Sequence, residues 1–214
     1  MKTLIAVPCM DTVPTEFMES IVHLQEPDGT QLAVVKNTLI YNARNLIAQN
    51  AVKLGFDRVL WLDSDMVFEP DLLLRLADDL DLGVNYVSGL YYMRRPNTHP
   101  VIYSDVRWKV NDDGMVETGC EIFEPYPKDQ MFEIAGSGFG CVMMSMDLLK
   151  LMVEKYGVPF SPLMGMSEDL TFCWRVRQLG VKMYCDSRIK LGHVGKFIYP
   201  GNLATSPLTG QQTE

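Results

Sequence analysis

The chain has 214 residues, 47% of them hydrophobic and 21% charged, ordinary proportions for a soluble globular protein with one substantial core. A formal net charge of -8 argues against nucleic acid as the main partner, because phosphate backbones require a basic surface. Cys9, Cys120, Cys141, Cys173 and Cys185 are odd in number, widely spaced and free of any CxxC pair. They fit buried thiols in a reducing compartment better than disulfides or zinc.

Thr3 to Met10 reads as an opening strand that Pro8 helps to end. Pro14 or Thr15 starts a helix to about Leu24, with Phe17, Ile21 and Leu24 at helical spacing. Turn chemistry at Glu26-Pro-Asp-Gly-Thr30 leads to a strand over 31–36. Asn37 or Thr38 is a candidate cap for a helix running to Lys53, which Gly55 closes. The apolar run Val59–Leu62 then reads as a buried parallel strand. Pro70 and Asp71 open a helix to about Leu80, and residues 85–92 are strand-like. This β-α-β-α-β-α-β order predicts a doubly wound, mostly parallel sheet flanked by helices.

From Pro96 the rhythm changes. Short strands are expected at 101–104, 107–110, 115–117, 120–123 and 131–134, around turns such as Asn111-Asp-Asp-Gly114. They form a small antiparallel excursion. Residues 139–145 return as strand, 147–156 and 167–179 as helices, and 181–185 as a last strand. One domain is expected over 1–198, followed by a flexible tail at 199–214. Residues 2–9 are too short for a signal segment, and no apolar run approaches the ~18 residues that span a bilayer. A soluble, cytoplasmic protein is the expectation.

The chemistry concentrates at Asp63-Ser-Asp65. These acids follow a buried strand, at the carboxyl end where open α/β sheets bind ligands. Two hard oxygen donors this close suit a divalent cation. Haloacid-dehalogenase-type phosphatases place a similar Asp-x-Asp-x-Val after a strand, with Asp63 as nucleophile and Asp65 as acid in that reading. However, that motif belongs to a first strand, and two βα units precede it here.

Several motifs in this order carry a more extensive resemblance. They are Ala6-Val-Pro8, Tyr41-Asn-Ala-Arg-Asn45, Asp63-Ser-Asp65, Ala135-Gly-Ser-Gly-Phe-Gly140, Ser167-Glu-Asp169 and His193. Over residues 3–195 the chain resembles GT-A-fold glycosyltransferases of the family 2-like type. The resemblance implies a Rossmann-like GT-A fold and transfer of a hexose from a nucleotide-diphospho-sugar, a UDP-sugar foremost, to a hydroxyl of a glycan or other acceptor. It implies Mn²⁺ or Mg²⁺ held by Asp65, with Asp63 beside it and His193 as the distal ligand. Asp169 would be the general base, with Glu168 the second candidate. Pro8, Arg44, Asn45, Ser64 and Gly138 would line the donor, with Arg44 near nucleotide or phosphate. Tyr91, Tyr92, Arg94 and Arg95 are candidates to clamp substrate, with a structural role as the alternative. The compact length matches stand-alone enzymes such as viruses encode, which would place the protein in a host cytoplasm. Two other classes stay open beside the phosphatase. A sugar-nucleotide pyrophosphorylase needs a glycine-rich basic loop that Val7–Thr12 lacks, and a non-catalytic glycan-binding or nucleotide-sugar-binding module would not require the full acid set.

Overall fold

The computed structural model describes residues 1–94 and 98–195. Arg95, Pro96 and the expected tail at 199–214 lie outside the described residues. The strands β1 (Thr3–Pro8), β3 (Arg58–Leu62) and β5 (Tyr86–Leu90) are buried at every position. Side chains on both faces of such strands need a covering layer. On one face lie α2 (Ile40–Leu54), α4 (Met146–Tyr156) and α5 (Glu168–Gln178), which pack Ile47, Leu149 and Phe172 against Trp61 and Val142. On the other lie α1 (Thr15–His23) and α3 (Leu72–Asp81), which pack Phe17 and Leu73 against Leu60 and Met143. Burying each large side chain contributes ~1.5–3 kcal/mol.

Four further strands complete a seven-stranded sheet: the edge strand β2 (Gln31–Val35), β8 (Met131–Ile134), β10 (Cys141–Ser145) and β11 (Met183–Lys190). The order is β2-β1-β3-β10-β5-β11-β8. All run parallel except β10 and the edge strand β8. The return strand expected at 139–145 is thus an antiparallel insertion between β3 and β5. The reason is geometric. The chain comes back from the excursion at the carboxyl ends of β3 and β5, so it must run down between them. That entry lays the Gly140 carbonyl on the Asp63 N–H at 3.1 Å.

The excursion is a three-stranded sheet of β6 (Ile102–Val110), β7 (Val116–Ile122) and β9 (Gly136–Ser137). Four of the short strands expected there fuse into the single β6–β7 hairpin, whose register slips between Tyr103 and Asp105. The last strand also runs longer than expected, through polar Asp186-Ser187-Arg188, because Arg188 satisfies the Asp186 carboxylate within the strand. A two-stranded ribbon of β4 (Met66–Val67) and β12 (Gly192–His193) closes the carboxyl end of the sheet. Helix α2 starts later than expected, with Leu39 at its cap. Asn37 instead takes a left-handed turn (φ 61) and donates its N–H to the Met10 carbonyl. Gly55 ends α2 with φ 69, as the sequence suggested.

Candidate active site

Because β1 and β3 are parallel neighbours, Pro8 and the Asp63–Asp65 turn open onto one cleft. Its first part is a cavity of about 230 Å³, with Pro8 and Met10 on one wall, Thr38, Ile40 and Ala43 on another, and Asp63, Ser64 and Asp65 at the base. The sequence reading singled out neither Met10 nor Ile40 here. Their only signal is position, just past β1 and just inside α2. Helix α2 begins without a side-chain cap, so the positive end of its dipole faces this cavity. A second part, of about 850 Å³, continues past Ser64, Asp65 and Arg94 toward Thr15 and Gly195.

Asp63, at the base of the cavity, is held from the core side. Its Oδ1 accepts from Arg44 Nη2 at 2.6 Å. Burial pushes the Asp63 carboxyl above the usual range, against the pull of Arg44. Arg44 lies on the core face of α2, 2% exposed, with its guanidinium 5.0 Å from the Phe139 ring centroid and Nη1 3.7 Å from Glu168 Oε1. This buried arginine therefore joins the first acid of the Asp-Ser-Asp turn to the first acid of α5. Burial raises the Glu168 carboxyl too, again opposed by Arg44.

The other expected residues separate by what their polar groups already bond. Asn45 is buried, accepting from the Phe160 N–H at 2.9 Å and donating to Ser161 Oγ at 3.3 Å, so it braces the 157–161 loop. Gly138 makes room for a neighbour: a Cβ there would stand 2.3 Å from Tyr91 Oη and 2.7 Å from Val101. Tyr91 Oη in turn accepts the Gly140 N–H at 2.9 Å. Tyr92 Oη lies 2.5 Å from Tyr126 Oη, outside the cleft lining. Asp169 accepts from the Leu170 N–H at 2.8 Å and from the Ser167 hydroxyl, so Ser167, at the cap of α5, bonds this carboxylate and no backbone N–H.

Asp65 and His193 are brought together from distant parts of the chain. The β4–β12 ribbon pairs His193 with Met66, and the Val194 N–H bonds the Asp65 carbonyl at 2.8 Å. His193 Nδ1 lies 3.0 Å from the Tyr92 carbonyl. A carbonyl only accepts, so Nδ1 carries the proton, and in the neutral ring Nε2 presents a lone pair. That lone pair faces Asp65 Oδ1 at 3.5 Å, and Oδ1 is buried without a hydrogen-bond partner. Tyr91 packs edge-on to the imidazole, 5.5 Å between centroids. On its other oxygen Asp65 accepts from Arg94 Nη1 at 2.6 Å. Burial works to raise the Asp65 carboxyl, but His193 in its protonated form and Arg94 outweigh it and hold the group below the usual range.

Two acceptors facing each other across 3.5 Å want a cation between them, and a carboxylate with an imidazole is a donor set that Mn²⁺ accepts readily. Among the described residues no group of three His, Cys, Asp or Glu side chains converges on one point.

No protein-family model and no curated protein matches this chain. Solved structures do. The crystal structure of A197 from STIV aligns over 92% of this chain and 87% of its own, with TM-score 0.65 and 19% identity. The crystal structure of GalNAc-T7 with UDP, GalNAc and Mn²⁺ aligns over 96% of this chain with TM-score 0.59 and 12% identity. The match spans 46% of that second protein, so the chain corresponds to less than half of it. At these identities the likeness concerns the fold: this chain has the α/β architecture of a GT-A glycosyltransferase, with a mostly parallel sheet flanked by helices. Among the described residues no helix is long and apolar enough to cross a membrane.

Proposed function

We propose that the chain is a metal-dependent, family 2-like glycosyltransferase that moves a hexose from a UDP-sugar to a hydroxyl acceptor. The observation that carries this reading is Asp65 Oδ1, buried without a hydrogen-bond partner, facing His193 Nε2 at 3.5 Å beside a cleft at the carboxyl ends of β1 and β3. In a GT-A fold this is where the donor's diphosphate would lie. Asp65 and His193 would hold Mn²⁺ or Mg²⁺, which when bound neutralises charge developing on the departing diphosphate.

The remaining steps belong to the chain's own residues. Pro8, Ser64 and the first turn of α2 line the nucleotide side of the cleft. Arg44 holds Asp63 in a fixed direction and pairs with Glu168, so the charge of both acids is offset where they would otherwise repel an incoming diphosphate. Asp169 is the candidate base: its carboxylate is anchored at the start of α5, and a sugar hydroxyl is a poor nucleophile until its proton is taken. Glu168 is the second candidate, since burial makes it more basic than a free glutamate.

The test is a panel of nucleotide sugars with Mn²⁺, scored by release of UDP. Asp65→Ala is expected to lower turnover by about 100-fold or more while leaving the folded state intact. Equal turnover in excess chelator would overturn the reading. Hydrolysis of a phosphomonoester, lost in Asp63→Asn, would favour the phosphatase. Thermal stabilisation by UDP-sugar and Mn²⁺ without any turnover would favour a binding module.

A further inference from the structure

The metal seat is not bare of positive charge. Arg94 Nη1 lies 2.6 Å from Asp65 Oδ2 and 3.5 Å from the Val194 carbonyl. The aliphatic stem of Arg94 runs beside Gly195, 3.6–3.7 Å from where a Cβ would stand there. The guanidinium therefore neutralises the same carboxylate that would ligate a cation, from the cleft side.

How it does so sets it apart from an arginine built in for stability. Arg188 grips Asp186 with Nε at 2.9 and 3.0 Å from the two oxygens and Nη2 at 2.8 Å, in the manner of a closed fork. Arg94 makes one prong only, and Asp65 Oδ1 stays unbonded. The Arg94 side chain is 49% exposed, against 3% for Arg44. A single-pronged, half-exposed pair is worth little and separates easily. Among the described residues, Asp63 and Glu168 pair with Arg44, and Asp65 pairs with Arg94 and lies beside His193. A diphosphate entering this cleft would need every positive group it could find. Arg94 lines both parts of the cleft, the α2 side and the α1 side, so a small swing of its stem keeps it within the space a diphosphate would occupy.

We infer that Arg94 is an exchangeable internal counter-cation: it holds Asp65 while the metal is absent, is displaced when a divalent cation binds, and then pairs with the diphosphate of the donor. The inference rests on the metal-and-nucleotide reading above and adds a consequence to it. Metal and nucleotide must bind cooperatively, because the metal frees the group that the nucleotide then uses, and by linkage each raises the other's affinity by the same factor.

The experiment is calorimetric titration of the full chain with Mn²⁺ alone, with UDP alone and with each in the presence of the other, for the wild type, Arg94→Met, Arg94→Lys and Asp65→Ala. Without nucleotide, Arg94→Met is expected to bind Mn²⁺ about three- to tenfold more tightly than the wild type, because a competing pair has gone. The same variant is expected to bind UDP in the presence of Mn²⁺ more weakly, so the coupling between the two ligands shrinks. Arg94→Lys keeps the charge without the fork and falls between. Unchanged or weaker Mn²⁺ affinity in Arg94→Met, with Asp65-dependent binding intact in the wild type, would overturn the role of Arg94 alone. Mn²⁺ binding equal in the wild type and Asp65→Ala would instead overturn the metal site itself. A merely structural Arg94 would weaken both ligands together and lower the melting temperature, an outcome that also counts against the exchange.

Discussion

Two clusters of aspartates and arginines sit on this sheet, and they are completed in opposite ways. Between α3 and β11, Asp79 and Asp186 touch, with Arg188 bonded to both. Asp79 Oδ2 is buried without a partner, and burial, reinforced by the Asp186 carboxyl, pushes Asp79 up to about 7. The missing partner there is a proton, shared within a closed group. At the carboxyl end of β3 the two acids are instead drawn apart, Asp63 to Arg44 and Asp65 to Arg94. The orphan oxygen of Asp65 faces an imidazole lone pair at the mouth of a cleft, a place that asks for a cation from outside. The same residue types make a stabilising lock in one place and a receptive site in the other. What differs is whether a second carboxylate or a cleft lies opposite the unshared oxygen.

The difference between the two clusters rests first on Arg44. Arg44→Met leaves Asp63 and Glu168 without their buried cation, and is expected to cost ~3–5 kcal/mol in denaturant unfolding. A loss below ~1 kcal/mol would show that the open cluster holds itself apart without this arginine. The matching change in the closed cluster is smaller. Arg188 is 48% exposed, so Arg188→Met is expected to cost ~1–3 kcal/mol at pH 7. The cost should be less at pH 5, where Asp79 holds a proton that it can share with Asp186. An equal cost at both pH values would mean that the aspartates do not share a proton.

The last effect is spread over pH, as the slope that Asp79 itself produces. Its folded value of about 7 lies above the ~3.9 of an unfolded aspartate, so between those values the folded chain holds a proton that the unfolded chain has released. Stability from this group is present below about pH 4 and is lost as pH rises to 7, by at most ~1.4 kcal/mol per pH unit. Asp79→Asn should flatten that decline when unfolding is followed across pH 4–7. Identical slopes in the two proteins would remove the proton from the closed cluster and with it the contrast drawn above.

Much of the fold was legible because period and punctuation agreed. Val59–Leu62 is an unbroken apolar run, and the structure buries it on both faces; Gly55 ends α2 where a left-handed residue was needed. The direction of β10 was not legible, since Cys141–Ser145 reads the same whichever way it pairs. The polar stretch Asp186–Arg188 looked like a strand's end because the pairing that satisfies it cannot be seen in composition. In the site, Asp63, Asp65 and His193 announced themselves by type and position. Arg44 looked like any helix polar residue, and its burial depends on Phe139 and Glu168 arriving from elsewhere. Gly138 looked like room for a ligand, yet the space is taken by Tyr91.

The order of elements, the apolar faces and the acids after β3 and at the start of α5 follow from the sequence alone, through local periodicity and turn chemistry. Only the tertiary structure decided which acid meets which cation. Asp65 gains His193 through the β4–β12 ribbon and Arg94 from beyond β5, while Asp63 gains Arg44 from α2. Such pairings are settled by where long-range chain crossings place a charge a few ångströms from another, a distance that one-dimensional spacing does not encode.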